Sequence, residues 1–183
     1  DRFFMKLPIY FFLEISNGVT QDKIDILSSE LTSLLSYFKM DPELLEVGFI
    51  SIIVVNEIAD QALPLTHISD LILKPVRAYG KCDLGESLDY LAVCIEREVK
   101  FRSSQNSRRD RRPYICVIAD NIFSHDWRLL PSLSGDLSNS NVFKECYFSI
   151  NYYSSLDLLD VFEEYLRYLK IEGSCIVSSQ IIE

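Results

Sequence analysis

Short, almost wholly apolar runs alternate along this chain with longer segments of helical periodicity. The first run, Leu7 to Gly18, is apolar up to its polar end and predicts a strand. Thr20 to Met40 spaces its apolar residues three and four apart, as on one buried helical face. Asp41-Pro42 is expected to end that helix. Val47 to Val55 is rich in β-branched residues and predicts a central strand covered on both faces.

The second part of the chain continues the alternation. A strand near Gln61 to Leu65 is predicted to pair as a hairpin, because the connection before it is too short for a crossover helix. The remaining predicted elements are a helix from Leu84 to Phe101, strands from Tyr114 to Ala119 and Cys146 to Tyr152, and a closing helix from Leu156 to Leu169. This order predicts an α/β fold with a mainly parallel central sheet, one antiparallel edge strand and helices on both faces.

Composition narrows the class of protein. The 183 residues, 48% of them hydrophobic, predict one globular domain over residues 1–183. A net charge of -9 argues against nucleic-acid or anionic-membrane binding. No stretch approaches the roughly 20 apolar residues of a membrane span, and no signal-peptide pattern is present. Since the chain opens at Asp1, it is also compatible with being a piece of a longer protein.

The spacing of the cysteines and histidines predicts no zinc site. Five cysteines occur without a close Cys-x-x-Cys pair, and only two histidines, His67 and His125, accompany them. Cys116 and Cys146 lie inside apolar runs and are expected to be buried, reduced thiols. We therefore expect a cytoplasmic protein.

Polar residues follow two of the predicted strands. Glu14, Ser16 and Gly18 close the first run, and Asp120 follows the strand that ends at Ala119. Ligand sites in open α/β sheets lie outside the carboxyl ends of the strands, so these residues are expected to meet at one edge. None of the phosphate-loop, dinucleotide-binding or nucleophile-elbow motifs is present.

One segment is unusually basic. Residues 102–112 contain five arginines and no apolar residue, which predicts a solvated loop before the strand at Tyr114. A flexible connection explains such a loop without any function. A docking patch for an acidic partner or a phosphate is the alternative, because guanidinium groups match both anions. The arginines concerned are Arg102, Arg108, Arg109, Arg111 and Arg112.

In order and spacing, these motifs resemble the von Willebrand factor A (vWA) domains, most closely the bacterial tellurite-resistance TerY-like branch. That family ends its first strand in Asp-x-Ser-x-Ser, opens a helix with Gly-Gly-Thr, and ends its fourth strand in Thr-Asp-Gly, followed by Asp-Trp. The corresponding segments here are Glu14-Ile15-Ser16-Asn17-Gly18, Gly80-Lys81-Cys82, Ala119-Asp120-Asn121 and His125-Asp126-Trp127. The resemblance covers nearly the whole chain and implies the Rossmann-like three-layer vWA fold.

In the family these positions form a metal-ion-dependent adhesion site, where Mg²⁺ or Mn²⁺ bridges to a carboxylate of the partner. The chain departs from that donor set in three places. Glu14 is one methylene too long, Gly18 has no hydroxyl, and Cys82 offers a soft sulfur where a hard oxygen is preferred. Ser16 and Asp120 are retained. We expect that the site has degenerated, with Lys81 neutralising Glu14 and Asp120 in place of an ion.

The resemblance therefore implies a non-enzymatic protein-interaction domain without a cofactor. Its partner is another protein, in a stress-response, tellurite-resistance or conflict system with kinase and phosphatase components. The residues expected to face the partner are Glu14, Ser16, Gly18, Cys82, Asp83 and Asp120.

Two alternatives stay open. The first is a module that depends on Mg²⁺, Mn²⁺ or Ca²⁺ and holds the ion through Ser16, Asp120 and Glu14. The second is an α/β enzyme that uses Cys82, or the carboxylates of Asp83 and Asp120, on a small substrate.

Overall fold

A computed structural model describes residues 5–15, 19–55, 59–73, 84–101, 109–120 and 142–172 of the chain. Its strands are β1 (Leu7–Glu14), β2 (Gly48–Val55), β3 (Ala59–His67), β4 (Tyr114–Ala119) and β5 (Tyr147–Tyr152). Its α-helices are α1 (Gln21–Met40), α2 (Pro42–Val47), α3 (Leu84–Glu98) and α4 (Leu158–Glu172). Three short 3₁₀ turns, Ile68–Asp70, Val142–Glu145 and Tyr153–Ser155, flank the strands.

The five strands form one sheet in the order β3-β2-β1-β4-β5. β1 pairs in parallel with both β2 and β4, and β4 pairs in parallel with β5. Only β3 runs antiparallel among these strands, as the hairpin partner of β2 at one edge. This arrangement confirms the fold class predicted from the sequence.

A separate core covers each face of the sheet. On one face, Phe11 of β1 packs against Phe162 of α4, with ring centroids 5.7 Å apart, and Phe162 also meets Phe38 of α1. On the other face, Tyr10 and Phe12 of β1 belong to a second buried cluster, to which α3 also contributes residues. Alternate residues of β1 face opposite sides of the sheet. Since a core covers each side, all eight residues of β1 are buried.

The short helix α2 was not predicted from the sequence. Asp41 ends α1, since its backbone N–H donates to the carbonyl of Phe38 at 3.2 Å. Its side chain then caps α2 by accepting from the backbone N–H of Glu43 at 3.0 Å and of Leu44 at 3.3 Å. Pro42 suits the first helical position, where its missing N–H costs nothing. The Asp-Pro pair thus ends one helix and begins the next.

Glu98, at the end of α3, fastens the antiparallel edge strand to the sheet. Its Oε1 accepts from the hydroxyl of Tyr10 at 3.0 Å and from Nε2 of Gln61 at 2.8 Å, and its Oε2 accepts from the backbone N–H of Leu65 at 2.8 Å. One carboxylate therefore joins α3 to both β1 and β3.

No helix among the described residues is long and apolar enough to cross a bilayer.

Candidate functional site

Glu14 and Asp120 lie at the carboxyl ends of two neighbouring strands. Glu14 is the last residue of β1, and Asp120 directly follows β4. The register pairs Leu13 with Ile118, which places the two acidic residues at the same edge of the sheet. We call the group formed by Glu14, Lys23, Asp120 and Tyr153 the carboxyl-edge site. Such an edge is where open α/β sheets place ligand sites.

Glu14 and Tyr153 form the buried floor of this site. Glu14 is 2% exposed and Tyr153 1%. The hydroxyl of Tyr153 donates to the backbone carbonyl of Glu14 at 3.0 Å. Burial raises the pKa of the Tyr153 hydroxyl, and the carboxylates of Glu14 and Asp120 raise it further. Tyr153 thus stays a hydrogen-bond donor at neutral pH and holds the end of β1 in place.

Asp120 forms an ion pair with Lys23 at the rim of the site. The Nζ of Lys23 donates to Oδ1 of Asp120, and the two side chains are 33% and 18% exposed. Lys23 is positioned by the start of α1, where the hydroxyl of Thr20 accepts from the Lys23 backbone N–H at 3.4 Å. The ammonium of a helix residue therefore neutralises a carboxylate that follows a strand.

The sequence prediction of a neutralising lysine named a different residue. Lys81, the predicted partner of Glu14 and Asp120, lies outside the described residues, so its role stays a prediction. The same holds for Ser16, Gly18, Cys82 and Asp83. Lys23 was missed, because it is 97 positions from Asp120 in the chain and carries no motif. Tyr153 was missed for the same reason.

The described donors are poorly suited to a divalent ion. Mg²⁺ requires several oxygen ligands in near-octahedral geometry. Here Oδ1 of Asp120 already accepts from an ammonium group, so a dication would have to displace a positive charge or lie beside it. Among the described residues, no three His, Cys, Asp or Glu side chains are grouped as metal ligands.

The end of the arginine segment is more ordered than the predicted solvated loop. Asp110 is only 8% exposed, and its carboxylate accepts from two backbone N–H groups, which compensates for the loss of water. Arg111 pairs with Glu43 at 3.3 Å. Arg112 donates to the carbonyl of Lys144 at 3.0 Å and lies 4.4 Å from the Tyr147 ring centre. Arg109 is exposed. Arg102 and Arg108 lie outside the described residues.

The described thiols are buried, which disfavours their reactive form. Cys94, Cys116 and Cys146 are free cysteines within the core, as predicted for the last two. Burial raises the pKa of Cys116 to about 12 and that of Cys146 to about 12, and it also raises the pKa of Cys94. Thiolate is the reactive form, and burial disfavours it at all three positions. Cys82 and Cys175 lie outside the described residues.

Comparison with known proteins gives structural likenesses only. No family model matches the chain, and no curated protein matches its sequence. The PilB minor pilin from Streptococcus sanguinis is similar over 64% of this chain, with 12% identity and a TM-score of 0.48. The SpRpn10 VWA domain is similar over 87%, with 9% identity and a TM-score of 0.49. BatB from Bacteroides thetaiotaomicron is similar over 79%, with 15% identity and a TM-score of 0.47.

The share of its own length over which each of these proteins matches this chain differs widely. The match covers 30% of the pilin, 95% of the SpRpn10 domain and 65% of BatB. With identities this low and TM-scores under 0.5, the likenesses carry no weight for function. The fold class of the chain rests on its own strand order, a mainly parallel five-stranded sheet with one antiparallel edge.

Proposed function

We propose that this chain is a non-enzymatic protein-interaction domain of the vWA type, which binds its partner at the carboxyl-edge site without a bridging cation. The observation that carries the proposal is the ion pair between Lys23 and Asp120. Asp120 is the acidic residue that the chain retains from the adhesion-site motif, and a lysine ammonium neutralises it. A tethered positive charge of this kind removes the electrostatic need for a metal ion.

The motif resemblance supports the finer parts of the proposal. The Glu14 to Gly18, Gly80 to Cys82 and Asp120 segments match the TerY-like branch in order and spacing. This supports one vWA-like domain over residues 1–183 of a cytoplasmic stress-response or tellurite-resistance protein. Its partner would then belong to a system with kinase and phosphatase components. The partner-facing set would add Ser16, Gly18, Cys82 and Asp83 to Glu14 and Asp120.

Thermal unfolding tests the cation-free site. The wild type, Asp120→Ala and the control Asp22→Ala are melted in EDTA and in millimolar Mg²⁺, Mn²⁺ and Ca²⁺. Asp22 is an exposed acid beside Lys23 in the first turn of α1, so the control removes a nearby charge without touching the ion pair. We expect the same melting temperature in EDTA and in each ion for all three proteins.

A real metal site would behave differently. An ion at a hundred times its dissociation constant stabilises the folded state by about 2.7 kcal/mol, which raises the melting temperature of a domain this size by about 5–10 °C. A rise in the wild type and in Asp22→Ala, but not in Asp120→Ala, would contradict our proposal and favour the cation-dependent alternative.

Partner capture tests the location of the site. The immobilised chain is incubated with lysate in EDTA and, in parallel, in millimolar Mg²⁺, and bound proteins are compared between the wild type, Asp120→Lys and Lys39→Glu. Lys39 is exposed at the far end of α1, so its reversal is a control for charge. We expect proteins that bind the wild type and Lys39→Glu but not Asp120→Lys. Retention that requires Mg²⁺, or an equal loss with Lys39→Glu, contradicts the proposal.

The thiol-enzyme alternative predicts a chemically reactive Cys82. Alkylation by iodoacetamide at neutral pH, followed by mass spectrometry of each cysteine, measures this directly. We expect no labelling of Cys82 faster than that of a free thiol. A rate well above it favours an activated nucleophile.

A further inference from the structure

The opposite edge of the sheet, at the amino ends of β1 and β4, is organised around the buried carboxylate of Asp110. Its Oδ1 accepts from the backbone N–H of Lys6 at 3.1 Å, and its Oδ2 accepts from that of Lys100 at 2.9 Å. The Asp110 N–H donates to the carbonyl of Lys100, and the Arg111 N–H donates to the carbonyl of Lys6, both at 2.8 Å. Three segments that each carry a basic residue are thereby held at one point.

Several of the positive charges gathered there are accessible. The side chains of Lys100, Arg109 and Arg112 are exposed. Arg112 lies over the Tyr147 ring, 4.4 Å from its centre, and donates to the carbonyl of Lys144, which positions its guanidinium without neutralising it. A fixed guanidinium loses little side-chain entropy when it binds a carboxylate. The edge thus presents one positioned guanidinium and two further exposed cationic side chains.

Apolar side chains accompany these charges. Met5 is 44% exposed and directly precedes Lys6. Leu45 is 37% exposed on α2, the helix whose Glu43 pairs with Arg111. A depression beside Arg111 is lined by Leu7, Leu44, Val47 and Leu166 and also by the acidic residues Asp41 and Glu43, so it does not belong to the cationic surface. The combination of exposed apolar and cationic side chains on one edge is typical of a protein-binding surface.

We propose that this surface, the amino-edge patch of Met5, Leu45, Lys100, Arg109 and Arg112, binds an acidic segment of a partner protein. Carboxylates of the segment pair with Lys100, Arg109 and Arg112, and an apolar side chain covers Met5 or Leu45. The chain as a whole carries a charge of -9, which repels an extended polyanion or an anionic membrane. A short segment contacts only the patch and avoids that repulsion, because salt screens charges beyond about 8–10 Å.

Peptide selection tests this inference. A randomised peptide display library is selected on the immobilised full chain, and the enriched peptides are measured by fluorescence anisotropy at low and high salt. The test variant is Lys100→Glu/Arg109→Glu, which leaves the backbone bonds to Asp110 intact. The control is Arg167→Glu, which reverses an exposed charge on α4. Far-ultraviolet circular dichroism and urea unfolding verify that both variants fold.

We expect enriched peptides that combine Asp or Glu with Leu, Phe or Trp. Their affinity should fall about tenfold in the double variant, stay unchanged in Arg167→Glu, and weaken with salt. The proposal is overturned if no acidic peptide is enriched or if the double variant binds equally well. It is also overturned if inorganic phosphate or phosphatidylserine vesicles compete as effectively as the selected peptides at equal concentration of anionic groups. Because the patch and the carboxyl-edge site lie at opposite ends of β1, either proposal can fail without the other.

Discussion

The carboxyl-edge site and the amino-edge patch lie at the two ends of the strands, and each has a carboxylate with a basic neighbour. The two carboxylates are held by different means. Asp110 is buried and accepts from backbone N–H groups of two other segments. Asp120 is partly exposed, and its partner is the end of a long lysine side chain. Backbone donors have fixed positions, whereas a lysine has many rotamers and exchanges partners easily. From this comparison we infer that Asp110 supports the fold, whereas the Lys23–Asp120 pair is free enough to exchange partners, as the proposed binding at the carboxyl-edge site requires.

The largest expected effect belongs to Asp110. Asp110→Ala removes the acceptor of the Lys6 and Lys100 N–H groups and leaves both donors in a partly buried place, so we expect a loss of about 2–4 kcal/mol in the free energy of unfolding. Urea unfolding measures it. Asp110→Asn keeps one acceptor oxygen and should lose less. If Asp110→Ala costs under about 1 kcal/mol, the contrast between the two edges collapses.

A smaller loss is expected at the floor of the carboxyl-edge site. Tyr153→Phe removes the hydrogen bond to the Glu14 carbonyl but keeps the ring, so unfolding should become easier by about 1 kcal/mol. The variant should also respond differently to alkali. Because the folded pKa of Tyr153 lies above the ordinary 10.0, the wild type loses stability as pH rises past 10. Part of that slope should disappear in Tyr153→Phe, and an unchanged slope would argue against a buried, protonated hydroxyl.

The smallest effect is expected at the ion pair itself. Lys23→Met and Asp120→Asn should each change the free energy of unfolding by less than about 1 kcal/mol, because both groups are partly exposed. A double-mutant cycle with both substitutions isolates their coupling, which should shrink as salt is added. A coupling as large as the loss in Asp110→Ala would make the pair structural and would remove the argument for exchange.

The sheet was predictable because its strands are nearly continuous apolar runs. β4 was predicted at the residues where it occurs, Tyr114 to Ala119, and β2 within one residue of its start. The hairpin strand was predicted at Gln61 to Leu65 but extends from Ala59 to His67. Its exposed positions blur the apolar pattern at both ends.

Other features were harder to predict. The helix α2 had a signal, since an aspartate followed by proline and Glu-Leu-Leu is a typical helix start, but the pair was interpreted only as a stop. The Asp110 anchor and the Lys23–Asp120 pair join residues about 100 positions apart. A single sequence states which groups can pair but not which ones the fold brings together.

The central strand also fixes a length. β1 has eight residues, all buried, and carries Glu14 at one end while Lys6 precedes its other end. At about 3.3 Å per residue it separates the carboxyl-edge site from the amino-edge patch by about 26 Å. Because strands hold both of its sides, this separation is rigid. Two proteins bound at the carboxyl-edge site and the amino-edge patch would therefore be held at a constant distance from each other by this chain.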